Sequence, residues 1–397
     1  MSRTAILEKP AIQSWRSWLA VVALGISAFT IVTSELAPIG LLSALAQDFN
    51  QSQAGTGIIV TAYAWVAAVA ALLSGALPQR VPRHMLLTGM MLVLAVSCLA
   101  VAWASSFNLL LAARITGALA HGAFWALIGT VAAQLVPPAR FGLATAIIFG
   151  GVSAASVASV PLANFLANVA GWRSAFIIVA VIALLTACVI ACSVPPLRAA
   201  SPIGLRALSA LLTQRTFLQL YFATACVITA HFAAFTWIEP LLSETLQLPA
   251  PLVSMLLLVF GLAGIVGNVL AGKLIDRHLK GLAIAALIMA AAAVALLAIL
   301  PLQRHPAVTG LLLLGWGTGI AVIFVGFQTW LLRLAGVAAQ AASAIYVAIF
   351  NVAIGSGALA GSLLLRFTSI DGVLLTASVA ILLGLLPILL LPPPVEH

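Results

Sequence analysis

Charge is what this sequence has least of. Of its 397 residues only 6% are Asp, Glu, Lys or Arg, against roughly 25% in an ordinary soluble domain. That scarcity, with 64% apolar residues and a mean hydropathy of +1.23, excludes a water-soluble fold and points to an integral membrane protein. Cysteine is also sparse. Cys98, Cys188, Cys192 and Cys226 lie in apolar runs without metal-ligand spacing, so they read as packing residues and no metal is expected. Loops long enough for a separate catalytic domain are missing, and no nucleophile, base and oxyanion donors gather at one place, which argues against an enzyme. The net charge of +9 comes from basic residues scattered singly between apolar runs. They form no continuous basic face, so nucleic acid is not an expected partner.

What is present is one apolar run after another. At about 20 residues per crossing of the bilayer, the runs give twelve spans, expected at 17-45, 55-77, 84-105, 107-136, 140-168, 172-194, 215-243, 250-275, 280-301, 306-333, 338-365 and 370-392. The first is too long for a signal-peptide core, contains Glu35 and lacks a small-residue cleavage pattern after it, so it is read as a span. Only Pro195 to Gln214, with its prolines and arginines, is long enough to link two bundles. The expected organisation is a six-helix bundle over 1-194, a cytoplasmic linker over 195-214 and a second six-helix bundle over 215-397.

Assigning alternate loops to the side of the amino terminus collects Arg3, Lys9, Arg16, Arg80, Arg83, Arg140, Arg198, Arg206, Arg215, Lys273, Arg277, Lys280 and Arg333. The other side receives Arg173, Arg304 and Arg366. By the positive-inside rule both termini are expected in the cytoplasm.

Against this apolar background Arg114, His121 and Trp125 stand out. They are seven and eleven residues apart in an unbroken run, so on a helix they share one face. Gly117, Ala118, Ala120 and Gly122 flank them and suit close helix approach. Ionisable groups at such depth are rarely idle. The halves also echo each other, as parallel repeats of a transporter do. Thr33-Ser-Glu35-Leu-Ala-Pro38 resembles Thr236-Trp-Ile-Glu239-Pro240, and Gly75-Ala-Leu77-Pro-Gln79-Arg80 resembles Gly272-Lys-Leu274-Ile-Asp276-Arg277.

These features resemble the major facilitator superfamily, whose loop between spans 2 and 3 carries a Gly-x-Leu-x-Asp-Arg pattern often repeated in the second half. The second-half copy is intact here, while Gln79 replaces the acidic residue of the first. Arg114 matches the family's span 4 arginine, Gly171-Trp172-Arg173-Ser-Ala-Phe176 matches its opening of span 6, and Gly150 to Pro161 resembles its antiporter motif. Thr33 to Leu42, Tyr63-Ala-Trp65, Ala120 to Trp125, Thr229-Ala-His231 and Trp237-Ile-Glu239-Pro240 together resemble the bacterial sugar efflux branch. The resemblance implies an all-α inner-membrane protein that exports sugars such as arabinose, lactose or thiogalactosides by proton antiport. The alternative is a multidrug or nucleoside exporter of the same superfamily. The proton gradient would be the energy source and no cofactor is implied. The expected partners are a small sugar, protons and the bilayer, with the chain working as a monomer.

From the helical rise of ~1.5 Å per residue, His121 and His231 fall near the bilayer centre. Glu35, Arg114 and Glu239 fall about 7 to 8, 10 and 15 Å toward the periplasm on the same scale. Glu35 and Arg114 are expected to pair when Glu35 is ionised, and to separate when it takes a proton; a permanent structural bridge is the competing reading. Glu239 is the second candidate for proton coupling. Glu244 lies further out and reads as a solvated loop residue. His121 and His231 are candidates for sugar hydroxyls or proton relay. Tyr63, Trp65, Trp125, Trp237 and Trp316 are candidate ring contacts for sugar, with helix packing as the alternative for the indoles. Gln328 and Asn351 are candidate hydrogen-bonding residues, and Asp276 with Arg277 a candidate cytoplasmic gate.

Overall fold

The computed structural model describes residues 15–73, 81–137, 140–195, 205–300 and 305–392. The described chain is almost wholly helical, with no strand among the described residues. Among the described residues twelve helices are long and apolar enough to cross a membrane. Spans 1 to 6 are Trp15–Asp48, Gln53–Ala71, Arg83–Ala102, Phe107–Trp125, Leu143–Ala170 and Trp172–Ser193. Spans 7 to 12 are Arg215–Phe235, Ala250–Ile275, Arg277–Ile299, Pro306–Ala335, Ala341–Leu364 and Ile370–Leu390. Within the expected linker a short helix, Leu205–Leu212, precedes span 7, and residues 196–204 lie outside the described residues. So does the first-half loop motif from Gly75 to Arg80.

Proline removes a helical hydrogen bond at three places. Span 1 is helical over Trp15–Leu36, then tightens to a 3₁₀ turn over Ala37–Leu41 before resuming at Leu42–Asp48. Pro38 has no N–H to give the carbonyl of Ser34 four residues back, so that carbonyl is released to another donor. The expected span 7 runs to residue 243. Its helix instead stops at Phe235, and short turns cover Ile238–Pro240 and Leu241–Thr245. Pro240 withdraws the N–H that Thr236 would have received. In span 5, Pro161 sits inside the helix and similarly frees the carbonyl of Val157. A fourth departure has no proline. Spans 8 and 9 run on as one helix, Ala250–Ile299, bent at His278 where the backbone leaves helical geometry.

Buried apolar side chains fall into two main clusters, one built by spans 1 to 6 and one by spans 7 to 12. The second continues across the seam into Ile39, Leu42, Val60, Ala64 and Val160 of the first half. Ile39, Leu42, Val60 and Val160 lie toward the end of the molecule remote from Trp15 and Leu390, termed the far end, and Ala64 lies near mid-span. Large apolar side chains such as Val96, Leu185, Phe222 and Leu311 remain 61–68% exposed, as helices facing lipid require.

The small residues of span 4 do what their size allows. A Cβ on Gly122 would run into the carbonyl oxygen of Ala67 in span 2 and lie 2.8 Å from the nitrogen of Ala71. Backbone cannot yield as a side-chain tip can, so Gly122→Val is expected to lower stability by about 3 kcal/mol. Thermal unfolding in detergent checks this against Gly89→Val, where an added side chain meets open space.

Candidate functional site

Four expected site residues converge inside the first half. Glu35 ends the first helix of span 1, Tyr63 sits in span 2, and Arg114 and His121 lie two turns apart in span 4. All are buried, at 8%, 1%, 1% and 2% exposure. The guanidinium of Arg114 lies over the Tyr63 ring, 3.9 Å from its centroid, a stacking that gains strength where water is excluded.

Glu35 and Arg114, expected to pair when Glu35 is ionised and to separate when it is protonated, stand unpaired in this arrangement. Arg114 donates through Nη1 to the carbonyl of Ser34 at 2.7 Å and approaches the Ser34 hydroxyl at 3.2 Å. The reason lies four residues on: Pro38 frees that carbonyl, and a buried acceptor captures the nearest donor. Glu35 faces His121 instead, with Oε2 3.8 Å from Nε2. The same Nε2 accepts the indole N–H of Trp125 at 3.1 Å. An acceptor nitrogen carries no proton, so His121 is neutral here, with its proton on Nδ1, 3.4 Å from the Tyr63 hydroxyl. Glu35 Oε1, Arg114 Nε and Nη2 and the Thr33 hydroxyl are buried without hydrogen-bond partners. The centre is therefore half satisfied, and both halves of the expected pair keep uncommitted atoms.

His231 has a comparable indole partner in the second half. Its Nδ1 accepts the N–H of Trp316 from span 10 at 3.2 Å. Phe235 stacks on its ring at 5.1 Å, and Phe260 and Phe324 close the surround at 6.4 and 5.8 Å. The two histidines, expected at one level of a common site, are each enclosed in their own half with their own indole.

Glu239 and Glu244 belong to the far-end seam. Glu239 lies beyond the last helical turn of span 7 and accepts the backbone N–H of Ser43 at 3.2 Å. Burial pushes its carboxyl above the ordinary range, as does the neighbouring Glu244, while hydrogen bonds from Ser43 and Ser243 oppose the shift. Glu244, read from sequence as a solvated loop residue, accepts from the Ser43 hydroxyl at 2.6 Å and from the Gln53 amide. It is exposed and still ties the two halves together. These groups line a shallow surface hollow of about 800 Å³ with Gln47, Asn50 and Ser243.

Two expected ring contacts also lie on the seam between the halves. Trp65 donates to the carbonyl of Val352 in span 11 at 3.2 Å, and Trp237 is fully buried among Gly57, Gly361 and Ser362. The Ser254 hydroxyl of span 8 reaches Asn164 of span 5 at 2.7 Å. Gly261, also of span 8, presses against the Val157 carbonyl that Pro161 frees. The hydrogen bonds by which Ser43, Gln53 and Asn164 reach the second half lie toward the far end, and that of Trp65 lies near mid-span.

The remaining expected residues are less central. Gln328 approaches the Ser343 hydroxyl at 3.4 Å, and Asn351 donates to its own helix at Val347. Arg277 is exposed beside the bend at His278, while the Asp276 side chain lies outside the described residues. Sequence reasoning missed Ser34, Ser43, Gln53 and Ser362. For Ser34 a signal existed in Pro38 four residues on; for the others, pairing across the halves has no local signature.

The whole arrangement is similar to solved transporters. A D-xylose–proton symporter matches with a TM-score of 0.76 and 18% identity, over 96% of this chain and 97% of that one. A bacterial homologue of the human lysosomal transporter Spinster matches in its inward-facing occupied conformation with a TM-score of 0.73 and 14% identity, over 96% and 97%. Its inward-facing unoccupied conformation matches at 0.66 and 14%, over 95% of each chain. The family model described as Major Facilitator Superfamily matches residues 22–345, well over half the sequence, and the chain belongs to that superfamily.

Proposed function

We propose that this transporter exports a sugar or similar small polyhydroxy compound across the bacterial inner membrane in exchange for protons. The observation that carries the reading is the buried Glu35 beside a neutral His121, with the uncommitted guanidinium nitrogens of Arg114 near it. A carboxyl facing an imidazole lone pair is at ease when it holds a proton and crowded when it is ionised. The observed geometry therefore corresponds to a protonated Glu35. Loss of the proton drives the carboxylate from that lone pair toward Arg114, which has to give up Ser34 or turn its free edge. That exchange of partners gives spans 1 and 4 two arrangements, and substrate and proton then compete by favouring different ones.

The seam supports the direction of access. Hydrogen bonds and apolar packing close the far end, which the distribution of basic residues assigns to the periplasm. Access is thereby left to the cytoplasmic end, where an exporter loads. His231 and Asn351 are the hydrogen-bonding candidates and Trp125 and Trp316 the ring candidates for a hydroxylated substrate, each exchanging its present partner for the substrate on binding. One observation favours the second reading, a multidrug or nucleoside exporter: the Phe235, Phe260 and Phe324 surround is apolar and suits a flat hydrophobic ring.

Inside-out vesicles with an acid lumen test both. Lactose, arabinose or a thiogalactoside added outside is expected to release protons from the lumen, followed with a pH-sensitive dye. Release with a hydrophobic cation or nucleoside, and with no sugar, would replace the sugar reading by the second.

A further inference from the structure

Trp237, expected as a surface for substrate, is buried in the far-end seam, while Trp65, also expected as one, is 41% exposed and meets the second half near the middle of span 11. Trp65 projects from span 2 into a notch of span 11: a Cβ on Gly355 would collide with its Cδ1 and lie 2.7 Å from Nε1. Trp237 fills the matching gap from the other side. A Cβ on Gly57 in the first half would lie 2.9 Å from its Cη2 and run into the Ser362 hydroxyl. One on Gly361 would strike its Nε1. Each indole thus closes on a glycine of the opposite half, where a larger residue has no room.

The seam differs in how well its polar atoms are served. Trp65 Nε1 finds the Val352 carbonyl. Trp237 Nε1 and the Ser362 hydroxyl are buried and without partners. A buried donor left unpaired destabilises the state that buries it.

We propose that Trp237, seated against Gly57, and Trp65, seated deeper against Gly355, form the gate toward the far end, and that the unpaired Trp237 N–H and Ser362 O–H keep the closed gate poised to open. Opening wets both groups and removes the penalty, so closure rests on the fit of the indoles and on the Ser43–Glu239–Glu244 bonds. The gate depends on the alternating-access part of the proposed function, and on neither its substrate nor its proton assignments.

The test uses the full chain in lipid nanodiscs with its four cysteines changed to alanine and one probe, Thr61→Cys. Thr61 is 1% exposed, and its carbonyl lies 3.0 Å from the position a Gly355 Cβ would take. Its rate of reaction with a water-soluble maleimide, without substrate and at one pH, reports how often the seam opens. Gly57→Val and Gly355→Val are each expected to raise the rate about tenfold or more. Ser362→Ala, which removes an unpaired hydroxyl at almost constant volume, is expected to lower it severalfold. Gly264→Val, at a glycine with open space around it, should match the parent.

Glycine variants that elute as one species and react like the parent would overturn the gate; an unchanged or faster rate in Ser362→Ala would overturn its poise. Should Gly57→Val not be recovered folded, Gly57→Ala decides by the same rate. Because no transport is measured, a failed sugar–proton assay leaves this outcome intact, and the reverse holds too.

Discussion

Glutamine in place of Glu35 is expected to abolish uphill transport while sparing exchange. The amide keeps the size of the carboxyl and its neutrality beside His121, so it mimics the protonated state in which the centre is at rest. What it loses is the ionised state, and with it any reason for Arg114 to leave Ser34. With one proton per substrate, a gradient of about two pH units supports roughly hundredfold accumulation, since each 1.4 kcal/mol is a factor of ten. The variant should accumulate substrate only to equality. Labelled substrate should still exchange against unlabelled, but with half-saturation at a raised concentration, because the amide favours the arrangement that substrate competes against while exchange itself needs no net proton transfer. Both are measured in the same vesicles by radiotracer uptake. Uphill accumulation that persists in Glu35→Gln removes span 1 from the coupling and leaves Glu239 as the carboxylate to examine.

How far the sequence foretells this centre differs from residue to residue. The number of spans and the face shared by Arg114, His121 and Trp125 follow from hydropathy and helical spacing, which are local. The convergence of Glu35 with that face follows from resemblance and estimated depth together. What depth does not give is the partner Arg114 holds while Glu35 stands apart from it, which is decided by a backbone carbonyl. Pro38 carries that information through the simple rule that a proline orphans the acceptor four residues earlier. The same rule explains why span 7 stops short and why Gly261 meets Val157. Glu244 escapes for another reason: a residue can be exposed and still bridge two halves, and exposure is all the sequence indicates. The gate residues are legible as aromatics and glycines but not as partners, since Trp65 and Gly355 stand 290 positions apart and only the seam joins them.

The partnership of Arg114 with Ser34 makes Arg114→Leu the second variant with a large expected effect, and it permits a rescue that separates structure from coupling. In Arg114→Leu the freed Ser34 carbonyl loses its donor, and the Tyr63 ring loses its cation. An unpaired buried acceptor and a lost desolvated cation–π contact together amount to about 3 kcal/mol or more. The unfolding temperature in detergent is therefore expected to fall clearly, and proton-driven transport to vanish, because an ionised Glu35 would have no cation to approach. Lysine should not substitute, since one ammonium cannot reach the carbonyl, cover the ring and keep a free edge toward Glu35 as the planar fork does. Adding Pro38→Ala to Arg114→Leu returns an N–H to position 38 and lets it bond Ser34. The double variant is expected to recover part of the lost unfolding temperature while remaining unable to couple. If Pro38→Ala restores no stability, the orphaned carbonyl is not what holds Arg114; if the double variant regains proton-driven transport, Arg114 serves only to satisfy the broken helix, and the charge it carries has no part in the cycle.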